Sequence, residues 1–306
     1  MPKKTRRTRF DRQIVSVFSD THAGHDLGLM SPKTMDIVPV PTKNQDGKTT
    51  QEWIARPVNL TPYQSWLWHE VYTPNIKATF DFANGDPVTV VHNGDLSQGV
   101  KYIDKHVSVD TALQMFAATA NLMPWFEYKN LKAFRVIWGT DSHIFGDNST
   151  PRIVTEMLKK DYPKVDIKQT AHSLLDVGGV LLDIAHHGPS GGIRNWTEPN
   201  MFMYYTRSLM ADAIDRDMRP PDAVIRSHFH RRIEGTLTKF YAKYGRVRTW
   251  YLLLPSYQGM NGYARQRSRS ADMVLNGHVD LEIINGVLHD IIWRVTAVDQ
   301  KTYEVL

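Results

Sequence analysis

Five stretches of the chain share one pattern, in which a short apolar run leads directly into polar residues that include His or Asp. Apolar runs of about four to eight residues rich in Val and Ile predict buried β-strands, and the polar residues after them predict loops at the strand ends. The stretches are QIVSVFSDTH (13–22), VTVVHNGDLSQG (88–99), FRVIWGTDSH (134–143), VLLDIAHHG (180–188) and DAVIRSHFH (222–230).

Segments with helical signals lie between these strands. They are YQSWLWHEV after Thr61-Pro62, RIVTEMLKK after Thr150-Pro151, and the amphipathic stretches 111–126 and 200–216. Thr followed by Pro is typical of an N-cap and first helical residue. Alternating strands and helices predict an α/β fold, in which functional residues gather at the carboxyl ends of the strands.

Two regions depart from this alternation. Residues 26–60 contain several prolines and KNQDGKTT, which predict a loop insertion with a small hairpin near Asp46-Gly47. Asn285-Gly286, flanked by alternating apolar residues, predicts a second hairpin. No linker-like segment divides the 306 residues, so we predict a single domain over 1–306.

The composition limits the possible metal ligands, the expected location and the expected partners of the protein. The chain has no cysteine, so a metal would need His and carboxylate ligands. No apolar run approaches the roughly 18 residues of a membrane span, and IVSVF is too short for a signal-peptide core, so we expect a soluble cytoplasmic protein without a membrane partner. The net charge of +5 favours anionic partners. Either a mobile basic tail at 1–9 or binding to nucleic acid explains this excess.

Candidate metal ligands follow four of the five predicted strands. They are Asp20, His22, Asp95, His187, His228 and His230. The first two and the last two are spaced i, i+2, so in extended backbone each pair points to one side and can bind one cation together. A single Asp-x-His is common by chance, but an ordered series of such loops is a specific signal.

These blocks resemble the calcineurin-like metallophosphoesterase superfamily, whose motifs run D-x-H, G-D, G-N-H, H near Gly, and G-H-x-H. FSDTH, HNGD and SHFH match the first, second and last motifs, with Ser227 in place of the usual Gly. The resemblance covers 20–230, and the exonuclease and phosphodiesterase branch is the nearest analogy. It implies a four-layer α/β/β/α sandwich of two mixed β-sheets flanked by helices.

The resemblance also implies two divalent metal ions and a role for each matching residue. Asp20, His22 and His230 would hold one ion, Asp95 would bridge, and His187 with His228 would hold the second. Two ions roughly 3.5–4 Å apart clamp an in-line phosphoryl displacement and lower the pKa of a shared water. Mixed imidazole and carboxylate ligands favour manganese first, with iron, zinc or nickel as alternatives, over magnesium and calcium.

The third motif departs from the family pattern. Gly139 is followed by Thr140, Asp141, Ser142 and His143, so the usual Asn is absent and the histidine comes two residues late. In one alignment Asp141 is the metal ligand and His143 is the general acid. In the other Thr140 is the ligand, and the acid role is empty or reassigned. We prefer the first, because a carboxylate is the better ligand and the reaction needs a proton donor.

His186 and His187 pose a second choice. Neighbouring residues of a strand face opposite sides, so only one of them should be a ligand. The His-Gly order of the family favours His187 and leaves His186 as a supporting or core residue. His92, Arg194 and Asn195 are candidates for contact with the substrate, the last two in a glycine-rich stretch.

Together these observations predict a metal-dependent phosphoesterase, a hydrolase that acts through a metal-bound hydroxide without a covalent intermediate. The basic balance and the arginine-rich stretch NGYARQRSRS (261–270) favour a phosphodiester of DNA, RNA or a nucleotide as substrate. The alternatives are a phosphomonoesterase acting on a phosphoprotein or small metabolite, and a non-catalytic binding module that retains the fold. No oligomeric state is predicted.

Overall fold

The structure is a computed structural model. It describes residues 11–44, 46, 48–101, 110–144, 149–189, 197, 199–260, 273–299 and 304. The predicted basic tail, the substrate candidates Arg194 and Asn195, and the arginine-rich stretch 261–270 lie outside the described residues.

The described residues form strands and helices, and the helices lie between Pro57 and Ala223. The strands are β1 Arg12–Phe18, β2 Met35–Lys43, β3 Thr49–Pro57, β4 Val88–Asn93, β5 Leu131–Ile137, β6 Asp166–Thr170, β7 His172–Val177, β8 Val180–Ala185, β9 Ala223–Arg226, β10 Ile233–Tyr241, β11 Gly245–Leu253, β12 Met273–Ile284 and β13 Val287–Asp299. The helices are α1 Pro62–Trp66, α2 Thr73–Ala83, α3 Thr111–Leu122, α4 Ser149–Asp161 and α5 Asn200–Asp215. A π-helical turn, Leu67–Tyr72, joins α1 to α2.

The strands build two mixed sheets and a separate hairpin. The six-stranded sheet has the order β13-β12-β1-β4-β5-β6, in which β1, β4, β5 and β6 are parallel and β12 pairs antiparallel with both neighbours. The five-stranded sheet has the order β10-β11-β9-β8-β7, with a parallel centre and antiparallel edges. The predicted α/β fold with mixed sheets is therefore confirmed.

Three groups of buried apolar side chains hold these elements together. The first joins the six-stranded sheet to α2, α3 and α4, the second joins the two sheets, and the third joins the five-stranded sheet to α5. In β1, Ile14 and Phe18 belong to the first group, whereas Val15 and Val17 belong to the second. This alternation follows from the period of two along a strand.

The predicted elements are largely found. The five strands predicted to precede polar loops are present as β1, β4, β5, β8 and β9. Thr61 caps α1 in a capping box with Gln64, but Thr150 lies inside the first turn of α4, which begins at Ser149. The predicted helix 111–126 changes to a 3₁₀ turn at Met123–Glu127, because the proline there has no N–H for the α-helical ladder.

The segment 26–60 is more regular than the predicted loop insertion. β2 and β3 are nine residues each and pair antiparallel from Met35–Pro57 to Lys43–Thr49. Pro39 and Pro41 concealed β2 from sequence analysis, yet proline is tolerated where the N–H would face away from the partner strand. The Asn285-Gly286 turn is confirmed as the connection of β12 to β13, and both residues have the positive φ of a type I′ turn.

No helix in the part of the chain that the structure describes is long and apolar enough to cross a membrane.

Candidate metal centre

Polar side chains that follow β1, β4, β5, β8 and β9 converge at one place. Four sets of three potential ligand atoms lie within 4.8 Å of one another among the described residues: Asp20–His22–His230, Asp20–Asp95–His186, His22–Asp95–His143 and His186–His187–His228. The sets contain every predicted ligand except Asp141, together with the predicted acid His143. They also contain His186, for which the sequence predicts a supporting or core role.

The first set surrounds a fully buried carboxylate. Asp20 Oδ1 lies 3.1 Å from His230 Nε2 and 3.7 Å from His22 Nε2. His22 is only 3% exposed, and neither of its ring nitrogens has a hydrogen-bond partner among the described residues. A buried polar group left unpaired costs about 1–3 kcal/mol. The carboxylate, the neighbouring imidazoles and the unpaired ring nitrogens of His22 therefore fit the binding of a cation.

The set His186–His187–His228 brings three imidazoles around one hydroxyl. Thr140 Oγ1 lies 3.2 Å from His228 Nδ1 and 3.3 Å from Nε2 of both His186 and His187. The expectation that only one of His186 and His187 can face the site does not hold, because β8 ends at Ala185 and strand alternation no longer applies beyond it. His186 Nδ1 donates to the Asn93 carbonyl oxygen at 2.6 Å, so Nε2 points toward the centre, where it lies 3.0 Å from Asp95 Oδ2.

Asp95 lies between the set Asp20–His22–His230 and the set His186–His187–His228. Its Oδ2 is 3.0 Å from His186 Nε2 and 4.0 Å from both His22 Nε2 and His228 Nδ1. Its Oδ1 accepts the Thr140 N–H at 2.6 Å. A Cβ at Gly139 would meet this Oδ1 at 2.1 Å, so only glycine permits this approach. The carboxylate thus has the position that a bridging ligand requires.

The third motif adopts a mixture of the two alignments. Asp141 is exposed and belongs to none of the four sets, whereas the Thr140 hydroxyl faces the centre. The turn that brings the Thr140 N–H to Asp95 carries Asp141 to the surface. His143 nevertheless stays at the site, because its Nδ1 donates to the Gln98 carbonyl at 2.7 Å and its Nε2 lies 4.0 Å from Asp95 Oδ2.

His92 is not a substrate contact, which corrects that prediction. Its side chain is fully buried, its Nε2 lies 3.0 Å from Thr21 Oγ1, and its ring meets the edge of Phe18 at 4.8 Å between centroids. Burial lowers the pKa of His92 to about 3, so the ring stays neutral. Its role is to support the turn that carries Asp20 and His22.

The electrostatics of the centre favour ionised carboxylates and mostly neutral imidazoles. Burial by itself raises the pKa of Asp95, but His186 and the other imidazoles lower it further, so the carboxyl is held well below its usual range. Burial lowers the pKa of His22 and of His228 to about 4. Burial also opposes the charge on His186, yet Asp95 and Asp20 raise its pKa to about 9. Anionic oxygen and neutral nitrogen are the forms that bind metal ions.

Five candidate ligands have a left-handed backbone. Their φ values are 55° for Asp20, 44° for His22, 54° for Asp95, 74° for His228 and 52° for His230. Non-glycine residues rarely adopt this region, and such conformations concentrate at functional sites. The chain thus departs from regular backbone where it presents these side chains.

Residues that sequence analysis did not assign to the site hold the strand ends in place. The Asn93 carbonyl accepts the Ser19 hydroxyl at 2.6 Å in addition to the His186 ring. The Asn93 amide donates to the Ala185 carbonyl at 3.0 Å and to Ser227 Oγ. Asn93 therefore ties the ends of β1, β4, β8 and β9 together. The only sequence signal was its position two residues before Asp95.

An ion pair between a fully buried arginine and a partly buried carboxylate lies directly before the His228 loop. Arg226 is fully buried, and its Nη2 lies 2.6 Å from Asp183 Oδ1. Its Nη1 donates to the carbonyls of Asp183 and Ile225 at 2.9 and 2.8 Å, and the Tyr205 hydroxyl accepts from its Nη2 at 3.0 Å. This network anchors β9 to β8 and α5.

No family model matches the chain, and no curated protein matches it. One similar solved structure is a protein of unknown function from Aquifex aeolicus, with 13% sequence identity, coverage of 76% of this chain and 82% of that chain, and a TM-score of 0.31. Likeness at this level supports no inference about function.

Proposed function

We propose that this chain is a dinuclear metal-dependent phosphoesterase, built as a single domain with the four-layer α/β/β/α sandwich of the calcineurin-like metallophosphoesterases. The observation that carries the proposal is the position of Asp95 Oδ2, within 4.0 Å of a ring nitrogen of both His22 and His228. A buried carboxylate between two groups of ligands is what a two-metal site needs. The three apolar groups between sheets and helices support the layering.

The side chains fit two divalent cations. Asp20, His22 and His230 would hold the first, His186, His187, His228 and Thr140 the second, with Asp95 shared. This donor set favours manganese, with iron, zinc or nickel as alternatives. When bound, such a pair polarises phosphoryl oxygens and lowers the pKa of a water between them.

The protein's own groups would orient the Asp95 carboxylate and protonate the leaving oxygen. The Thr140 N–H fixes the direction of the Asp95 carboxylate. The Gln98 carbonyl holds the Nδ1 proton of His143, so the Nε2 of that ring faces the centre. In the imidazolium form, which carries a second proton on Nε2, the ring would donate that proton to the leaving oxygen and return to the neutral form. The net charge of +5 favours a polyanionic substrate, so a phosphodiester of nucleic acid or a nucleotide is proposed.

The test is a matrix of metals against substrates. The protein is treated with EDTA, and Mn, Ni, Zn or Mg is restored before hydrolysis of bis-p-nitrophenyl phosphate, p-nitrophenyl phosphate, single-stranded DNA and double-stranded DNA is measured. We expect activity only with metal, and faster turnover of the diesters. Faster turnover of the monoester would identify a phosphomonoesterase. Two bound metal ions without any turnover would instead indicate a binding module. Because Asp141 lies at the surface, this outcome has to be tested.

His143→Ala should impair esters with poor leaving groups far more than p-nitrophenyl esters. General acid catalysis contributes about 10²–10⁴-fold where the leaving oxygen needs a proton, and p-nitrophenolate leaves without one. The rates on an alkyl phosphodiester and on bis-p-nitrophenyl phosphate are compared, with His69→Ala as a control at an exposed histidine outside the four sets. Equal losses on both esters would assign the acid role to another group, and loss of bound metal would show that His143 is a ligand.

A further inference from the structure

A row of arginine and aromatic side chains begins beside the candidate metal centre. β10 starts at Ile233, three residues after His230, and pairs antiparallel with β11. Side chains alternate between the two faces of a strand, and one face of this hairpin packs on α5. The other face carries Phe240 opposite Arg246, followed toward the centre by Arg248 and Trp250. With Arg232 and Trp293 at its near end, we call this row the arginine–aromatic face.

The charge of this face is positive. Its three arginines are exposed. Glu234 is the one acidic residue among the described strand residues of β10 and β11 on this side. Its carboxylate already accepts the Trp293 Nε1–H at 2.5 Å and lies 3.5 Å from Arg232. The face therefore attracts anions.

The aromatic rings lie beside the cations. The Arg232 guanidinium is 4.9 Å from the centre of the Trp293 ring, and the Arg248 guanidinium is 5.0 Å from the Trp250 ring. Phe240 is 78% exposed and adds little to the core. Trp250 and Trp293 are half-buried and pack against the core between the sheets, so of the three rings Phe240 is the one open for stacking. An exposed ring among arginines is an arrangement that proteins use to bind single strands of nucleic acid.

We propose that the arginine–aromatic face binds single-stranded DNA and leads it to the metal centre. From Arg232 to Phe240 an extended strand spans roughly 26 Å at about 3.3 Å per residue, which is room for several nucleotides. Guanidinium groups bind phosphates and aromatic rings stack on bases. These contacts need no 2′-hydroxyl, so DNA satisfies them. A duplex hides its bases and is excluded. Only the delivery of the DNA to the metal centre rests on the proposed function, since binding of the DNA needs no hydrolysis.

Binding is tested with EDTA present, by the fluorescence anisotropy of a labelled oligo-dT of about 15 nucleotides over a series of salt concentrations. Arg246→Gln with Arg248→Gln should lower the slope of log K against log salt by about 1.4, because each phosphate contact on a single strand contributes about 0.7. Phe240→Ala should weaken binding about tenfold through lost stacking. These side chains are exposed, so the fold should be retained.

Matched controls lie on helices. Arg152→Gln with Arg207→Gln removes the same charge from exposed positions of α4 and α5, and Tyr204→Ala removes an aromatic ring that is 58% exposed. We expect wild-type binding from both. Equal losses in the controls, an unaffected Phe240→Ala variant, tighter binding of a duplex or of oligo-U, or no binding of oligo-dT would each overturn the proposal.

The two proposals fail in different ways. The face variants should hydrolyse bis-p-nitrophenyl phosphate at the wild-type rate, because their residues lie outside the metal sets. Binding of oligo-dT through the face in a protein that hydrolyses no ester would contradict the proposed function alone. Hydrolysis of esters by a protein whose face variants bind oligo-dT like wild type would contradict this inference alone.

Discussion

Asp95→Asn should abolish hydrolysis, with a loss on the order of 10³-fold or more in kcat/KM, and should lower the metal content of the protein. The substitution keeps the size of the side chain but removes the charge that both groups of imidazoles share. An amide N–H₂ turned toward His186 cannot bind a cation, and the loss of a bridging ligand affects both metal positions. Hydrolysis of bis-p-nitrophenyl phosphate and metal content by mass spectrometry measure the two effects.

Asp141→Asn is the matched control, because it removes the same charge from an exposed position two residues after Gly139. Activity close to wild type is expected. A near wild-type Asp95→Asn variant would remove the dinuclear proposal. An Asp141→Asn variant that loses metal would instead restore the alignment in which Asp141 is the ligand, and would mean that the turn moves when metal binds.

Arg226→Met should destabilise the folded protein by about 3–5 kcal/mol, the range expected when one partner of a buried ion pair is removed. Asp183 would keep its charge beside β8 without the guanidinium, and two backbone carbonyls would lose their donor. The free energy of unfolding in urea at neutral pH measures the effect. Asp183→Leu added to Arg226→Met should recover much of the loss, because it removes the carboxylate that has lost its guanidinium partner.

The control is Arg219→Met. Arg219 also lies 2.6 Å from a carboxylate, that of Asp222, but its side chain is 44% exposed, and pairs of this kind contribute at most about 1 kcal/mol. A loss that small at Arg226 would contradict the importance of the buried pair.

The effect of Arg226→Met should depend on pH. Burial raises the pKa of the Asp183 carboxyl, but His172 and Arg226 lower it further, so its pKa in the folded protein is below its usual value. The contribution of the pair is therefore fully present above the unfolded-state pKa of about 3.9 and is lost as the pH falls through the folded-state pKa. The difference between wild type and variant should shrink below about pH 4.

The strands and the ligand loops could be predicted because their signal is local. Each apolar run and the polar residues after it are adjacent in sequence, and parallel strands bring such loops to one edge without further information. The same local pattern could have excluded His92 as a substrate contact. It continues the alternation of Val88 and Val90, whose side chains lie in the first apolar group, so its burial was already implied.

The parts that could not be predicted depend on backbone direction after a strand ends. His186 and His187 both approach the Thr140 hydroxyl because β8 stops at Ala185. Asp141 was preferred over Thr140 on ligand chemistry, but the direction of the turn decides which side chain faces inward. Sequence alone carries no measure of that direction.

Thermal stability and the proposed reaction make opposite demands at five positions with left-handed backbone. These positions are Asp20, His22, Asp95, His228 and His230. Glycine tolerates such φ values without the cost of roughly 1–2 kcal/mol that a side chain incurs. Laboratory selection for thermal tolerance alone would thus favour glycine in these loops, and every such gain would remove a group on which the proposed reaction depends.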